Sequence, residues 1–153
     1  MRSFVSAKIG NFSLFAKLYL IVAVMGIIIA IYDAYDYLTI SFNFCNVSST
    51  ISCLGVFQSG HTSLFGIPFW LMGLIWFPLA LSLAILTLQE IAGRNSLNGS
   101  VIVPFLMIGN IFTIYLWYLE LDLIHVICPV CASLYIVNYT MTALAAIEFF
   151  RLI

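Results

Sequence analysis

Long uncharged stretches alternate with short polar intervals along the chain, and the alternation predicts four membrane-crossing helices over 14–38, 68–89, 100–119 and 124–150. About 20 residues, each rising 1.5 Å, cover a hydrocarbon core of about 30 Å. Leu18 to Tyr32 carries no charge, and the apolar character runs on through Tyr35 and Tyr37 with Asp33 and Asp36 interleaved. No small-residue cleavage site follows, so this stretch reads as a retained helix rather than a removed leader. Pro68 suits a first helical turn, and Pro78 predicts a kink in the second span. The third ends at Trp117-Tyr118, residues favoured at a membrane interface. Glu120, Asp122 and His125 then predict a tight turn, and the fourth span closes with Glu148 and Arg151.

The interval 39–67 has a different pattern. It is rich in Ser, Thr, Asn and Gly and holds Cys45, Cys53 and His61, yet has no Lys, Arg, Asp or Glu. Val47, Ile51, Leu54, Val56 and Phe57 make it too apolar for a loose linker. Ser48-Ser49-Thr50 is a candidate cap for a short helix lying on the bilayer surface over the bundle.

Composition agrees with the pattern: 64% of residues are apolar, 7% are charged and the mean hydropathy is +1.17. These values exclude an ordinary soluble domain and predict a single all-α integral membrane domain over 1–153, a four-helix bundle in contact with lipid. A net charge of −1 leaves no basic face for nucleic acid. The few cations set the orientation. Arg2, Lys8 and Lys17 precede the first span, Arg94 lies between the second and third, and Arg151 follows the fourth. All fall on one side, so the positive-inside rule places both termini in the cytoplasm and the four cysteines at the outer face of a cell membrane. Disulfides persist in that compartment.

Candidate chemistry centres on Cys128-Pro129-Val130-Cys131. Two thiols three residues apart on a helix share a face and can bridge to each other or exchange with a third sulfur. Cys131 is expected about 4.5 Å deeper than Cys128, by the helical rise. With Cys45 and Cys53 in the outer interval, the thiols form a depth series suited to a disulfide relay. Below the dithiol, Cys131, Tyr135, Asn138 and Thr142 recur at helical spacing, a polar stripe in an otherwise apolar span. Such a stripe either joins helices or faces a buried ligand. A dithiol inside a bilayer needs a lipid-soluble redox partner, and a quinone suits an aromatic pocket, with Phe65, Phe69, Trp76 and Trp117 as candidate walls.

Other readings fit parts of the pattern. Outer disulfides that staple the loops of a tetraspan scaffold explain Cys45 and Cys53 but leave Cys131, inside a span, without a use. Four thiolates with His61 and His125 make a metal site, although seven residues between Cys45 and Cys53 is wide for a zinc knuckle; no metal is expected. The histidines read as interface hydrogen-bonders. Asp33, Asp36, Glu120 and Asp122 read as an outer acidic cluster able to meet a basic partner. Asn46-Val47-Ser48 fits the glycosylation pattern on the outer side.

Cys45 and Cys53, the run Ser52-Cys53 through Val56-Phe57 to Ser59, Phe65-Gly66 ahead of the second span, and Cys128-Pro129-Val130-Cys131 with Tyr135 four residues on together resemble the vitamin K epoxide reductase family. The resemblance runs from the first span to the fourth. It implies a four-helix bundle around a quinone of the menaquinone, ubiquinone or vitamin K type. Cys128 and Cys131 would be the active-site pair, with Cys131 facing the quinone, and Cys45 and Cys53 the shuttle pair that takes electrons from a partner thiol. Tyr135, Ser59, Thr62 and Phe65 would lie near the quinone. Some relatives carry a fused thioredoxin-like domain, so a separate thioredoxin-like protein is the expected partner here. The implied activity is thiol-disulfide oxidation that supports disulfide formation outside the cytoplasm, or else reduction of vitamin K epoxide itself.

Overall fold

A computed structural model of the chain describes residues 14–39, 45–90 and 99–152. Within them, four helices are long and apolar enough to cross a membrane: α1 (Leu14–Thr39), α3 (Phe69–Glu90), α4 (Gly99–Tyr118) and α5 (Pro129–Leu152). The four-helix bundle expected from the sequence is present. α1 packs against α5 and α3, and α4 packs against α5. Arg2, Lys8 and Arg94 lie outside the described residues. At the opposite ends of the chain, Arg151 on α5 sits 5.8 Å over the ring of Phe15 on α1, so these two helix ends share one end of the bundle.

The buried face of α1 shows how the sequence sets the packing. Ala16, Tyr19, Ala23, Gly26, Ala30 and Asp33 are spaced by alternate threes and fours and are all buried. Small side chains along this line let α3 and α5 approach closely, because helices in lipid associate by packing rather than by exclusion of water. At Gly26 a methyl group would stand 2.5 Å from the ring of Phe77 on α3. Gly109 on α4 likewise gives its space to the indole of Trp76.

The segment between α1 and α3 caps the other end. Cys53–Gln58 forms a short helix, α2, and Ser63–Leu64 pairs with Ile67–Pro68 as the hairpin β1–β2. The cap of α2 is Ser52, not the Ser48–Thr50 run expected from the sequence. Its hydroxyl oxygen accepts from the Gly55 amide at 3.0 Å, while Ser48 and Thr50 bond to each other in the preceding bends. The hairpin turn is Phe65-Gly66 with φ of 53° and 81°, a two-residue loop that needs positive φ at both positions.

The turn before α5 also departs from expectation. Instead of a tight turn and a helix from 124, α4 runs on as a wider π turn, Leu119–Ile124, ended by His125 at φ 55°. The next residues are extended because Ile127 pairs with Ile51 in a parallel bridge, and α5 begins only at Pro129. Pro129, which has no N–H to satisfy, suits that first position. Cys128 is therefore the residue before the helix, and Cys131 lies in its first turn.

Candidate functional site

Two backbone bonds bring the distant cysteines together. The Ile127 amide donates to the Thr50 carbonyl at 2.8 Å, and the Ser52 amide donates to the Ile127 carbonyl at 3.0 Å. This clamp fixes Cys53, one residue after Ser52, beside Cys128, one residue after Ile127. Cys45 and Cys53 are joined as a disulfide, with Cα atoms 5.4 Å apart. The Cys128 sulfur lies 2.6 Å from that of Cys53, and Cys128 and Cys131 are free thiols. All three of Cys45, Cys53 and Cys128 are buried, in a cluster with Val56. The Cys131 amide donates to the Cys128 sulfur at 3.4 Å.

Asn46 holds the side of this arrangement away from the bundle. Its side-chain oxygen accepts from the Ser52 hydroxyl at 2.7 Å and the Leu54 amide at 3.3 Å, tying the segment around Cys45 to the start of α2. Asn46→Ala is expected to remove about 1 kcal/mol of local stability and so raise amide exchange across Cys53–Gln58 about fivefold. Unchanged exchange there would show that the disulfide alone holds the segment.

Below the thiols lies a cavity of about 400 Å³ within the bundle. Of the four cysteines, only Cys131 is in its wall. Phe57, Phe69, Trp70, Trp76 and Phe112 supply aromatic surface, and Thr62, Asp33, Glu120 and Tyr135 supply polar groups. Thr62 and Tyr135 are thus brought to one space with Cys131, as are Phe69 and Trp76. Phe65 is not: as the first residue of the hairpin turn it is 94% exposed and outside the wall. Ser59 lies outside it as well, because it ends α2, donating to the Val56 carbonyl at 2.6 Å and accepting from the His61 amide. Trp117 stands behind the wall, its ring edge-on to Tyr135 at 5.2 Å.

The polar stripe of α5 divides between the two roles open to it. Its deeper half joins helices: Trp76 donates to the Asn138 side-chain oxygen at 3.1 Å, Asn138 donates to Asn110 at 2.6 Å, and Asn110 donates to Thr142 at 3.0 Å. Its upper half, Cys131 and Tyr135, faces the cavity, and Asn138 does both, joining helices while lining the cavity floor. Three of the four acids that the sequence groups near the outer face are buried, Asp36 at 3% exposed among them. Asp33 is 4% exposed and Glu120 3%. Both had a readable signal. Asp33 continues the buried line of α1, and Glu120 continues a polar line through Asn110 and Thr113 on α4. Glu120 accepts from the Tyr135 hydroxyl at 2.6 Å and from the Cys128 amide at 3.4 Å.

A buried disulfide thus lies against one thiol of a helix-start dithiol, above an aromatic cavity. The family model for the vitamin K epoxide reductase family matches residues 17–146, from the first span to the last. The chain belongs to the vitamin K epoxide reductase family. No curated protein matches it significantly. Membership makes the chain a multi-pass membrane protein and an oxidoreductase that acts through thiols. For a member of the vitamin K epoxide reductase family, the clamp between Ile51 and Ile127 is the local device that holds its two cysteine pairs in register.

The cavity suits a quinone in size and lining. Pockets for small organic ligands begin at about 300 Å³ and are mostly apolar with few polar groups. Trp70 supplies a buried indole N–H with no hydrogen-bond partner among the described residues, on the cavity wall. An unpaired buried donor costs about 1–3 kcal/mol, which a ligand carbonyl would recover. Metal binding fits less well. The sulfurs of Cys45, Cys53 and Cys128 lie within 4.8 Å of one another, but two of them are spent on each other.

Proposed function

We propose that the protein passes electrons from a thioredoxin-like partner through Cys45–Cys53 and then Cys128–Cys131 to a membrane quinone, and so supports disulfide formation in proteins outside the cytoplasm. The observation that carries this reading is the 2.6 Å approach of the Cys53 and Cys128 sulfurs, with Cys131 on the far side of Cys128 in the cavity wall. Cys53 then lies between Cys45 and Cys128, and Cys128 between Cys53 and Cys131, and disulfide exchange needs a thiolate beside such a neighbour.

In the proposed sequence, a partner dithiol reduces the Cys45–Cys53 bond. The Cys53 thiolate attacks Cys128 of an oxidised Cys128–Cys131 pair, and Cys45 then displaces Cys128, which restores the outer disulfide and leaves two inner thiols. A quinone bound in the cavity supplies a two-electron, two-proton acceptor within the bilayer. Cys131 faces that acceptor, Cys128 closes the disulfide with Cys131, and Thr62, Trp70 and Tyr135 orient the ring. The basic residues Arg2, Lys8, Lys17, Arg94 and Arg151 support an orientation with both termini in the cytoplasm and the thiols outside.

The test uses protein in detergent with a reduced thioredoxin-like donor and a soluble quinone. One quinone is expected to be consumed for each donor dithiol oxidised, followed by absorbance and by thiol titration. Oxidation of the donor without loss of quinone would remove the acceptor from the scheme, and no oxidation of the donor would return Cys45–Cys53 to a structural staple.

A further inference from the structure

Glu120 is a buried carboxyl that the exchange of sulfurs does not use. It stands at a junction: Oε1 accepts from the Tyr135 hydroxyl at 2.6 Å, Oε2 accepts from the Cys128 amide at 3.4 Å, and the side chain forms part of the cavity wall. Cys128 itself is fully buried and is not in that wall. The carboxyl thus bridges the closed end of the dithiol and the cavity.

A tyrosine hydroxyl has a single hydrogen. While Glu120 is a carboxylate, that hydrogen is committed to Oε1, and Tyr135 offers only lone pairs to a carbonyl in the cavity. When Glu120 carries a proton the bond reverses: the acid donates to the tyrosine oxygen, and the tyrosine hydrogen turns to the cavity. We propose that Glu120 passes a proton to the cavity through Tyr135, acting as a positioning residue whose protonation decides whether the tyrosine donates or accepts. The proposal rests on the quinone reading given above.

The step balances without a further reactant. Closing the Cys128–Cys131 bond breaks two S–H bonds and sends two electrons to the quinone, which needs two protons to become quinol. Cys131 releases its proton directly into the cavity. The second proton comes to the reduced ring from Tyr135, which takes the proton of Glu120 in turn, and the proton released at Cys128 balances that loss. The other titratable groups around Glu120 are Cys131 on α5, Asp33 on α1, His61 in the outer segment, and Asp122 and His125, both exposed, near its own turn.

Glu120→Gln keeps the shape and an acceptor oxygen but cannot carry a proton. In this variant, kcat for donor-driven quinone reduction is expected to fall about 10²-fold at neutral pH with the quinone KM unchanged. The wild-type rate should fall as pH rises through the titration of Glu120, since the step needs its proton, and Glu120→Gln should lose that alkaline limb. Glu120→Asp and Asp122→Asn should both retain it. A quinone-free readout is the infrared C=O band of a buried carboxylic acid, expected to vanish in Glu120→Gln and to shift in Tyr135→Phe. A wild-type rate and limb in Glu120→Gln, or no such band in the wild type at any pH where it is active, overturns the proposal. A wild type that reduces no quinone overturns the acceptor assignment instead, and the infrared band tells the two failures apart.

Discussion

Cys131→Ser is expected to lower quinone reduction by at least about 10³-fold, the scale of loss when a reaction's own nucleophile is removed. Cys131 is the sole cysteine in the cavity wall, and no other sulfur in the cluster reaches that space. The same variant should change the thiol pattern. Cys128 still lies 2.6 Å from Cys53, so it can still open the outer disulfide, but it has lost the neighbour that would displace Cys53 from it. Only Cys45 can then reverse the step. A Cys53–Cys128 cross-link is therefore expected in the variant after rapid alkylation and peptide mapping, at levels absent from the wild type in turnover. Retention of more than a tenth of the wild-type rate would show that Cys128, not Cys131, meets the acceptor.

The Cys128–Cys131 spacing was legible in the sequence and the Cys45–Cys53 pair was implied by the family resemblance, but the reason Cys53 meets Cys128 was not. Long uncharged runs gave the spans because lipid leaves the backbone few alternatives to helix. The Cys128–Cys131 spacing marked the dithiol because three residues on a helix is nearly one turn. Cys53 meets Cys128 for a different reason: a single parallel bridge between Ile51 and Ile127, 76 positions apart in the chain as their numbers show, and such a pairing leaves no periodic trace. The same bridge holds residues 126–128 extended, which is why α5 begins at Pro129 rather than at 124. Glu120 was misplaced for a related reason. Its neighbours Asp122 and His125 are exposed, and in a run so short their polarity masked the one carboxyl that turns inward through the π turn. Phe65 was misplaced because an aromatic residue ahead of a span suggests a pocket wall, whereas the positive φ of the hairpin turn directs it out.

The second large effect separates the outer pair from the inner one. Cys45→Ser or Cys53→Ser is expected to reduce the rate with a thioredoxin-like protein donor about 10²-fold or more, while a small membrane-permeant dithiol continues to drive the reaction. Reach separates the two donors. Cys45, Cys53 and Cys128 are all buried as folded and Cys131 lies in the cavity wall, but Cys45 and Cys53 are carried by the short segment over the bundle end, which a folded partner meets first. It must use a sulfur carried by the outer segment, and loss of that intramolecular step forfeits the advantage of a held neighbour. A small dithiol is not so restricted, because it can enter the cavity and meet Cys131. The two donors also test the staple reading. Closing a loop of this length stabilises a protein by about 2–3 kcal/mol, so a purely structural Cys45–Cys53 bond would, when lost, depress both rates together and loosen α2. If instead neither rate changes, the partner reaches Cys128 without the outer pair, and the depth order of the four sulfurs is not the order of electron flow.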